Sequence, residues 1–216
     1  MSIEKRYILV KSRINNDAVK LLAVSKKQPI SKIRQLYLLG HCTFGESYVQ
    51  EAVEKIKTLS DLAIEWHFIG PIQSNKTKYL AQYFNWVQSV SSLKILSRLN
   101  KQRDPNRGKL NVLLQLKVGN EESKKGFNDN ELLAICQKKE DFENICIRGL
   151  MSIPKPSDDY NVQLKQFSHC KDVFERMKAF VDVDTLSLGM SSDLEAAIAS
   201  GSTMVRVGTD IFGKRE

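Results

Sequence analysis

The sequence predicts an α/β fold, a single (β/α)8 barrel (TIM barrel) of parallel strands. Three observations carry this. Short, near-continuously apolar runs recur about eight times, helical patterns fill the gaps between them, and no linker or low-complexity tract divides the chain. With 216 residues, 42% of them hydrophobic and 27% charged, the chain can bury such a core as one domain spanning residues 1–216.

In order along the chain, VKLLAVSK (19–26) is the first strand and ISKIRQLYLLG (30–40) its helix. HCTFGES (41–47) leads into YVQEAVEKIKTL (48–59), and IEWHFIG (64–70) into NKTKYLAQYF (75–84). WVQSV (86–90) precedes SLKILSRLNKQ (92–102), KLNVLLQLKV (109–118) precedes NELLAICQKKEDF (130–142), and ICIRGLMSI (145–153) precedes VQLKQFSHCKDVFERMKAF (162–180). TLSLGM (185–190), SDLEAAIASG (192–201) and MVRVGTDIF (204–212) complete the alternation. Most helical segments repeat apolar residues at i, i+3, i+4 spacing, and several begin with Ser, Asn or Asp, whose side chains can accept from free N–H groups of the first turn. In QSNKTK (73–78), Ser74 or Asn75 is the expected N-cap.

Composition excludes several classes. The start MSIEKRYILV is too short and interrupted for a signal peptide, and no run reaches the ~18 apolar residues that span a bilayer, so a cytoplasmic protein with no membrane partner is expected. Cys42, Cys136, Cys146 and Cys170 form no CxxC pair and read as reduced packing residues. His41, His67 and His169 lack ligand spacing and read as hydrogen-bonded structural residues, so no metal is expected. The net charge of +8 is spread along the chain without a basic block, which argues against nucleic acid and leaves a preference for phosphorylated small molecules. VGNEESKK fails as a phosphate loop of the Walker type because Lys124 stands where its second glycine belongs.

In a parallel barrel the active face lies at the C-terminal ends of the strands, which places Lys26 at the mouth beside the loops after strands seven and eight. There Ser191 and Ser192 sit where a strand gives way to a helix, and Gly208 and Thr209 offer a close backbone approach and a hydroxyl. Singly these are an ordinary cap and an ordinary turn; their joint placement suggests an anion cradle. Arg206, two residues before Gly208, shares its face and points inward, where it needs a partner. An inward lysine, an inward arginine and a phosphate cradle describe a site for pyridoxal 5′-phosphate (PLP).

The segments AVSKKQP, FGESYVQE, WHFIGPIQSNKTK, RGLMSIP and LSLGMSSDLEAAIASGSTMVRVGTDIFG together resemble the pyridoxal phosphate homeostasis protein family, whose fold is similar to the N-terminal barrel of alanine racemase. The resemblance runs from about residue 19 to Gly213. It implies a Schiff-base lysine at Lys26, phosphate contacts from Ser191, Gly208 and Thr209, a wall from Met190, and Arg206 opposite the pyridine nitrogen. It further implies a monomeric, non-catalytic cofactor carrier, with PLP-dependent apoenzymes as candidate recipients.

Two departures stand out: Ser47 in FGESY replaces an Asn, and Lys117 stands where an Asn is more usual. The segment before strand one is shorter than usual, so a reduced helix is expected there, thinning the barrel floor without touching the mouth. The main alternative is an amino-acid racemase on the same barrel. The expectation against it is that the chain stops at Glu216, with no room for the second domain that supplies the opposing acid–base tyrosine.

Overall fold

A computed structural model describes residues 1–119 and 125–213. Eight strands among them close a parallel barrel in chain order: β1 (Lys20–Val24), β2 (Thr43–Glu46), β3 (Glu65–Phe68), β4 (Trp86–Val90), β5 (Leu110–Gln115), β6 (Ile145–Met151), β7 (Thr185–Ser187) and β8 (Met204–Val207). Each lies within its expected run. The barrel closes where β1 pairs with β8, Leu22 opposite Arg206 and Ala23 opposite Val207. The helices are α1 (Ile3–Ile14), α2 (Ile30–Leu38), α3 (Val49–Thr58), α4 (Thr77–Tyr83), α5 (Leu93–Gln102), α6 (Asp129–Gln137), α7 (Tyr160–Met177), α8 (Leu194–Ala199) and α9 (Thr209–Phe212).

Side-chain alternation along each strand divides the interior into two layers. Ala23, Phe44, Phe68, Val87, Leu114, Leu150, Leu186 and Val205 join the core shared with the helices, where Ile33, Leu36, Leu80, Leu96 and Phe167 are fully or almost fully buried. Leu22, Trp86, Leu113, Met151 and Met204 are buried outside that core and fill the lumen beside His67, Gln88, Ser187 and Arg206. A barrel of this strand number is a packed core, so the polar lumenal groups must satisfy one another.

Local signals explain the helix starts. Ser92 and Asn128 accept from the backbone N–H groups of Ile95 and Glu131, Asn128 within a full capping box, and Asp159 accepts from Asn161 and Val162. Neither Ser74 nor Asn75 caps α4: a 3-10 turn over Ser74–Lys76 intervenes, and the Thr77 hydroxyl donates to the Ser74 carbonyl instead.

Two expectations need correction. The eighth run does not continue as strand to residue 212. Gly208 (φ −117°, ψ −74°) leaves the extended region, and Thr209–Phe212 coil into α9. Nor is the N-terminal helix reduced: α1 is a twelve-residue helix capped by Ser2, with Val10 and Ile14 buried, ending at Asn15 in the left-handed region (φ 41°). Charged residues at half of the other positions mask its apolar stripe in the sequence. Among the described residues no helix is long and apolar enough to cross a membrane.

His41, at the foot of β2, bonds the Thr43 carbonyl through Nε2 at 2.8 Å and packs edge-on against Tyr7 and Phe44. Burial pushes its pKa down to about 4, that hydrogen bond opposing and nearby Lys11 adding to the fall. The unfolded chain takes up this proton near pH 6.5 and the folded chain only near 4, so stability is lost as pH falls through that window. At about pH 5 the expected loss from His41 is about 2 kcal/mol relative to neutral pH. Urea unfolding of His41→Gln, which keeps a donor for Thr43, should show a correspondingly shallower pH dependence; an unchanged slope would refute the assignment.

Candidate functional site

The ends of β1, β7 and β8 bring the six predicted residues to one corner of the mouth. Lys26 lies two residues past the end of β1, in a turn closed by the Gln28 N–H donating to the Ser25 carbonyl at 3.0 Å. Lys26 is partly buried. The Arg206 N–H donates to the Gly189 carbonyl, which sets the loop of Met190 and Ser191 beside the turn of Gly208 and Thr209. A Cβ on Gly208 would stand 3.2 Å from the Val24 carbonyl oxygen and 3.3 Å from Val24 Cβ, so the turn packs tightly against the end of β1. Met190 and Thr209 are exposed and Ser191 is partly buried.

Arg206 is buried in the lumen, as its strand parity predicts. Its partners, however, are neutral. Nη1 donates to the Ser187 carbonyl at 2.7 Å and to Ser187 Oγ at 2.8 Å, and Nη2 donates to the Ser152 carbonyl at 3.0 Å. Burial pushes the guanidinium pKa down to about 10, with Asp193 and Cys170 opposing the fall, so it stays charged at neutral pH.

From Arg206 a hydrogen-bonded chain runs down the lumen. Ser187 Oγ donates to Gln88 Oε1 at 2.8 Å, Gln88 Nε2 donates to His67 Nδ1 at 2.8 Å, and His67 Nε2 meets Glu65 Oε1 at 2.9 Å near the floor. Because the Gln88 amide nitrogen can only donate, His67 Nδ1 must accept and Nε2 must carry the proton toward Glu65. Every donor therefore points away from the guanidinium and toward the carboxylate. Burial holds the fully enclosed His67 below its ordinary pKa, against the pull of Glu65, and His67 holds the Glu65 carboxyl below its own.

A second polar cluster at the mouth went unread in the sequence. Glu46, at the end of β2 and fully buried, accepts from Ser25 Oγ at 2.7 Å and from Lys55 Nζ at 2.8 Å. Lys55 also donates to Glu51 Oε1 at 2.6 Å and to the Ser25 carbonyl at 2.8 Å. Burial raises the Glu46 carboxyl above its ordinary range while Lys55 and Ser25 pull it down. The spacing of Glu51 and Lys55, one helical turn apart, was the available signal.

Helix α1 reaches the mouth as well. Arg13 donates through Nη2 to the Ser191 carbonyl at 2.9 Å, through Nη1 to Asp210 at 2.7 Å and through Nε to Glu195 at 3.0 Å, tying the loops after β7 and β8 together. Elsewhere the histidines are hydrogen-bonded or ion-paired, His169 with Asp129 at 3.2 Å. Ser47 packs its backbone under Gly70, where a Cβ would stand 2.2 Å from the Ser47 carbonyl oxygen. Lys117 is partly buried beyond β5, its N–H donating to the Phe127 carbonyl at 2.9 Å. Much of the rejected VGNEESKK pattern, including Lys124, lies outside the described residues, as does Glu216.

Comparison with known proteins follows the geometry. The alanine racemase N-terminal domain profile matches residues 2–216. Alanine racemase of Clostridium difficile 630 has the same fold, with a TM-score of 0.81 at 14% identity over 99% of this chain and 56% of that one. Barrel and mouth thus define a protein of the alanine racemase N-terminal class. PipY of Synechococcus elongatus PCC7942, 32% identical over 98% of this chain and 100% of its own, gives TM-scores of 0.91 without PLP and 0.90 with PLP bound. The pyridoxal phosphate homeostasis protein of Pasteurella multocida is 48% identical over 204 residues, 92% of this chain and 88% of that protein. That of Haemophilus influenzae is 48% identical over 206 residues, 93% of this chain and 87% of that protein. The chain belongs to the pyridoxal phosphate homeostasis protein family.

Replacing Gln88 with Leu would leave His67 Nδ1 and the Ser187 hydroxyl without their lumenal partner. Each orphaned buried group costs roughly 1–3 kcal/mol, so Gln88→Leu should lower the urea midpoint strongly, whereas Gln88→Glu should keep the Ser187 bond and lose less. Equal stability of Gln88→Leu and wild type would show that the chain is energetically idle.

Proposed function

We propose that this chain binds PLP and serves intracellular PLP homeostasis, as a carrier or buffer that holds the cofactor through an imine on Lys26 and turns over no substrate. The observation that carries the reading is the gathering of Lys26, Ser191, Gly208 and Thr209 around a buried Arg206 at one end of the barrel, in a family whose PipY member has PLP bound. The residues fit the group: Ser191 and Thr209 bring hydroxyls to neighbouring loops at the mouth, and the buried guanidinium has carbonyls and a hydroxyl as its hydrogen-bond partners.

In this reading Lys26 Nζ would hold the cofactor, which would supply an aldehyde able to condense with an uncharged amine with loss of water and no change of oxidation state. Ser191, Gly208 and Thr209 would hold the phosphate and Met190 would wall the ring. Arg206 would face the pyridine nitrogen and, being only a donor, would favour its unprotonated form. Enzymes that use the ring as an electron sink commonly set a carboxylate against a protonated nitrogen, so a guanidinium there supports holding over turnover. The names of the curated relatives support the same reading. A monomer in a reducing cytoplasm, handing PLP to dependent apoenzymes, completes the proposal; the free buried thiols of Cys136 and Cys170 agree with that compartment.

Borohydride reduction of the PLP-loaded protein followed by peptide mapping should find the pyridoxyl group on Lys26, and Lys26→Ala should lose the visible imine absorbance. A label on Lys27, or a normal spectrum in Lys26→Ala, would overturn the assignment. Charge-assisted hydrogen bonds are worth about 1.5–3 kcal/mol each, so pyridoxal without its phosphate should bind at least about tenfold more weakly by titration; equal affinity would remove the anion cradle.

A further inference from the structure

Lys26 stands beyond the end of β1, so the ladder does not hold it in place. Both of its chain neighbours are bonded to side chains of β2 and α3. Besides its backbone bonds to Gly45 and Gln28, Ser25 is pinned by two side chains, its hydroxyl donating to Glu46 Oε1 and its carbonyl accepting from Lys55 Nζ, while the Lys27 N–H donates to Glu51 Oε1 at 2.6 Å. Lys55 bonds both carboxylates, so the three pins belong to one network. We infer that the ion network of Glu46, Lys55 and Glu51 is the positioning device for the Lys26 amine. The inference rests on the reading that Lys26 captures the PLP aldehyde.

Packing alone does not account for the network. Lys55 is only 5% exposed, on the face that α3 buries with Val49 and Ala52, where apolar side chains of similar volume in place of both Lys55 and Glu46 would serve stability equally well or better. Glu46 is fully buried and carries one oxygen, Oε2, with no hydrogen-bond partner among the described residues. Two buried charges and an orphaned acceptor are costly, and their bonds converge on the turn that carries Lys26. The backbone of that turn is itself unusual. Lys27 occupies the left-handed region at φ 58°, uncommon for a residue with a side chain, and its N–H is the group that Glu51 takes. Register places the network where it must be: Val24 pairs with Gly45, so Ser25 and Glu46 leave adjacent strands side by side.

The role assigned is positional, because no network member needs to touch the cofactor. An amine that must approach an aldehyde carbon along one direction loses rate when its turn is loosened, even if the rest of the site still binds. Glu51→Ala frees the Lys27 N–H, and Lys55→Met removes the bond to the Ser25 carbonyl at similar length. Glu51 is partly exposed at the start of α3, where alanine is well tolerated, so at least this variant keeps its fold.

The test compares two ligands in the purified full chain. PLP can be captured by Lys26; pyridoxine 5′-phosphate, an alcohol in place of the aldehyde, can only bind. Both variants should capture PLP about tenfold more slowly, read from the growth of imine absorbance after mixing, while pyridoxine 5′-phosphate affinity stays within about twofold of wild type. Unchanged capture rates, or a parallel loss for both ligands, would overturn the positioning role, the second by making the network a general structural support. A wild-type chain that yields no borohydride-reducible adduct on Lys26 would overturn the proposed function itself, which separates the two failures.

Discussion

A guanidinium buried in the barrel lumen and hydrogen-bonded, among the described residues, to two carbonyls and a hydroxyl is the constraint from which the remaining polar interior follows. Arg206 cannot be left unpaired at that depth, since a buried, unsatisfied charge costs several kcal/mol (roughly). Its strand position fixes which neighbours can answer: β7 supplies both acceptors of Ser187, and the end of β6 supplies the Ser152 carbonyl. Ser187, having accepted from Arg206, must place its own proton elsewhere, and Gln88 takes it. Gln88 then donates to His67, which is thereby committed to the tautomer that donates to Glu65. One cation near the mouth thus orders a polar column that ends on an anion near the floor.

This ordering shows why the fold was legible in the sequence and much of the site was not. Strand positions announce themselves through unbroken apolar runs, and the turn chemistry around Gly208 and Ser191 is local. Arg206 could be placed in the lumen because parity along a strand tells which face a residue takes, and Lys26 at the mouth because its strand ends just before it. Gln88 in WVQSV and Glu46 in FGES interrupt otherwise apolar strands, but their partners lie on other strands or helices, 99 residues away in the case of Ser187 and Gln88. No period within a segment reveals such a pairing. The missing signal was present all the same: a polar residue inside a buried strand must find a hydrogen bond, so each one marks a partner across the barrel.

Helix α1 was misjudged for a related reason. Of its residues only Val10 and Ile14 are buried, and a stripe that narrow on a helix rich in Lys and Arg reads as solvent-facing. Its contribution to the mouth comes through a charged residue, Arg13, whose guanidinium meets Asp210, Glu195 and the Ser191 carbonyl. These pairs are partly exposed, and each alone is worth little. Their value is geometric. The loops after β7 and β8 already meet through the Arg206 N–H and the Gly189 carbonyl, and Arg13 adds a clasp from outside the barrel that ties Ser191 to Asp210.

The two polar systems divide the proposed task between them, and the division bears on reversibility. The lumenal column fixes the donor that would face the ring nitrogen, and the network of Glu46, Lys55 and Glu51 fixes the turn of Lys26; both are buried and rigidly bonded. Around them the mouth stays open, with Thr209 exposed and Met190 38% exposed. Imine formation releases water and imine hydrolysis consumes it, so a site that admits solvent to the C=N carbon lets capture run backwards as readily as forwards. An enzyme protects a reactive intermediate by closing the site. A carrier must instead give its cargo up, and a preorganised floor beneath an open rim combines firm orientation with release.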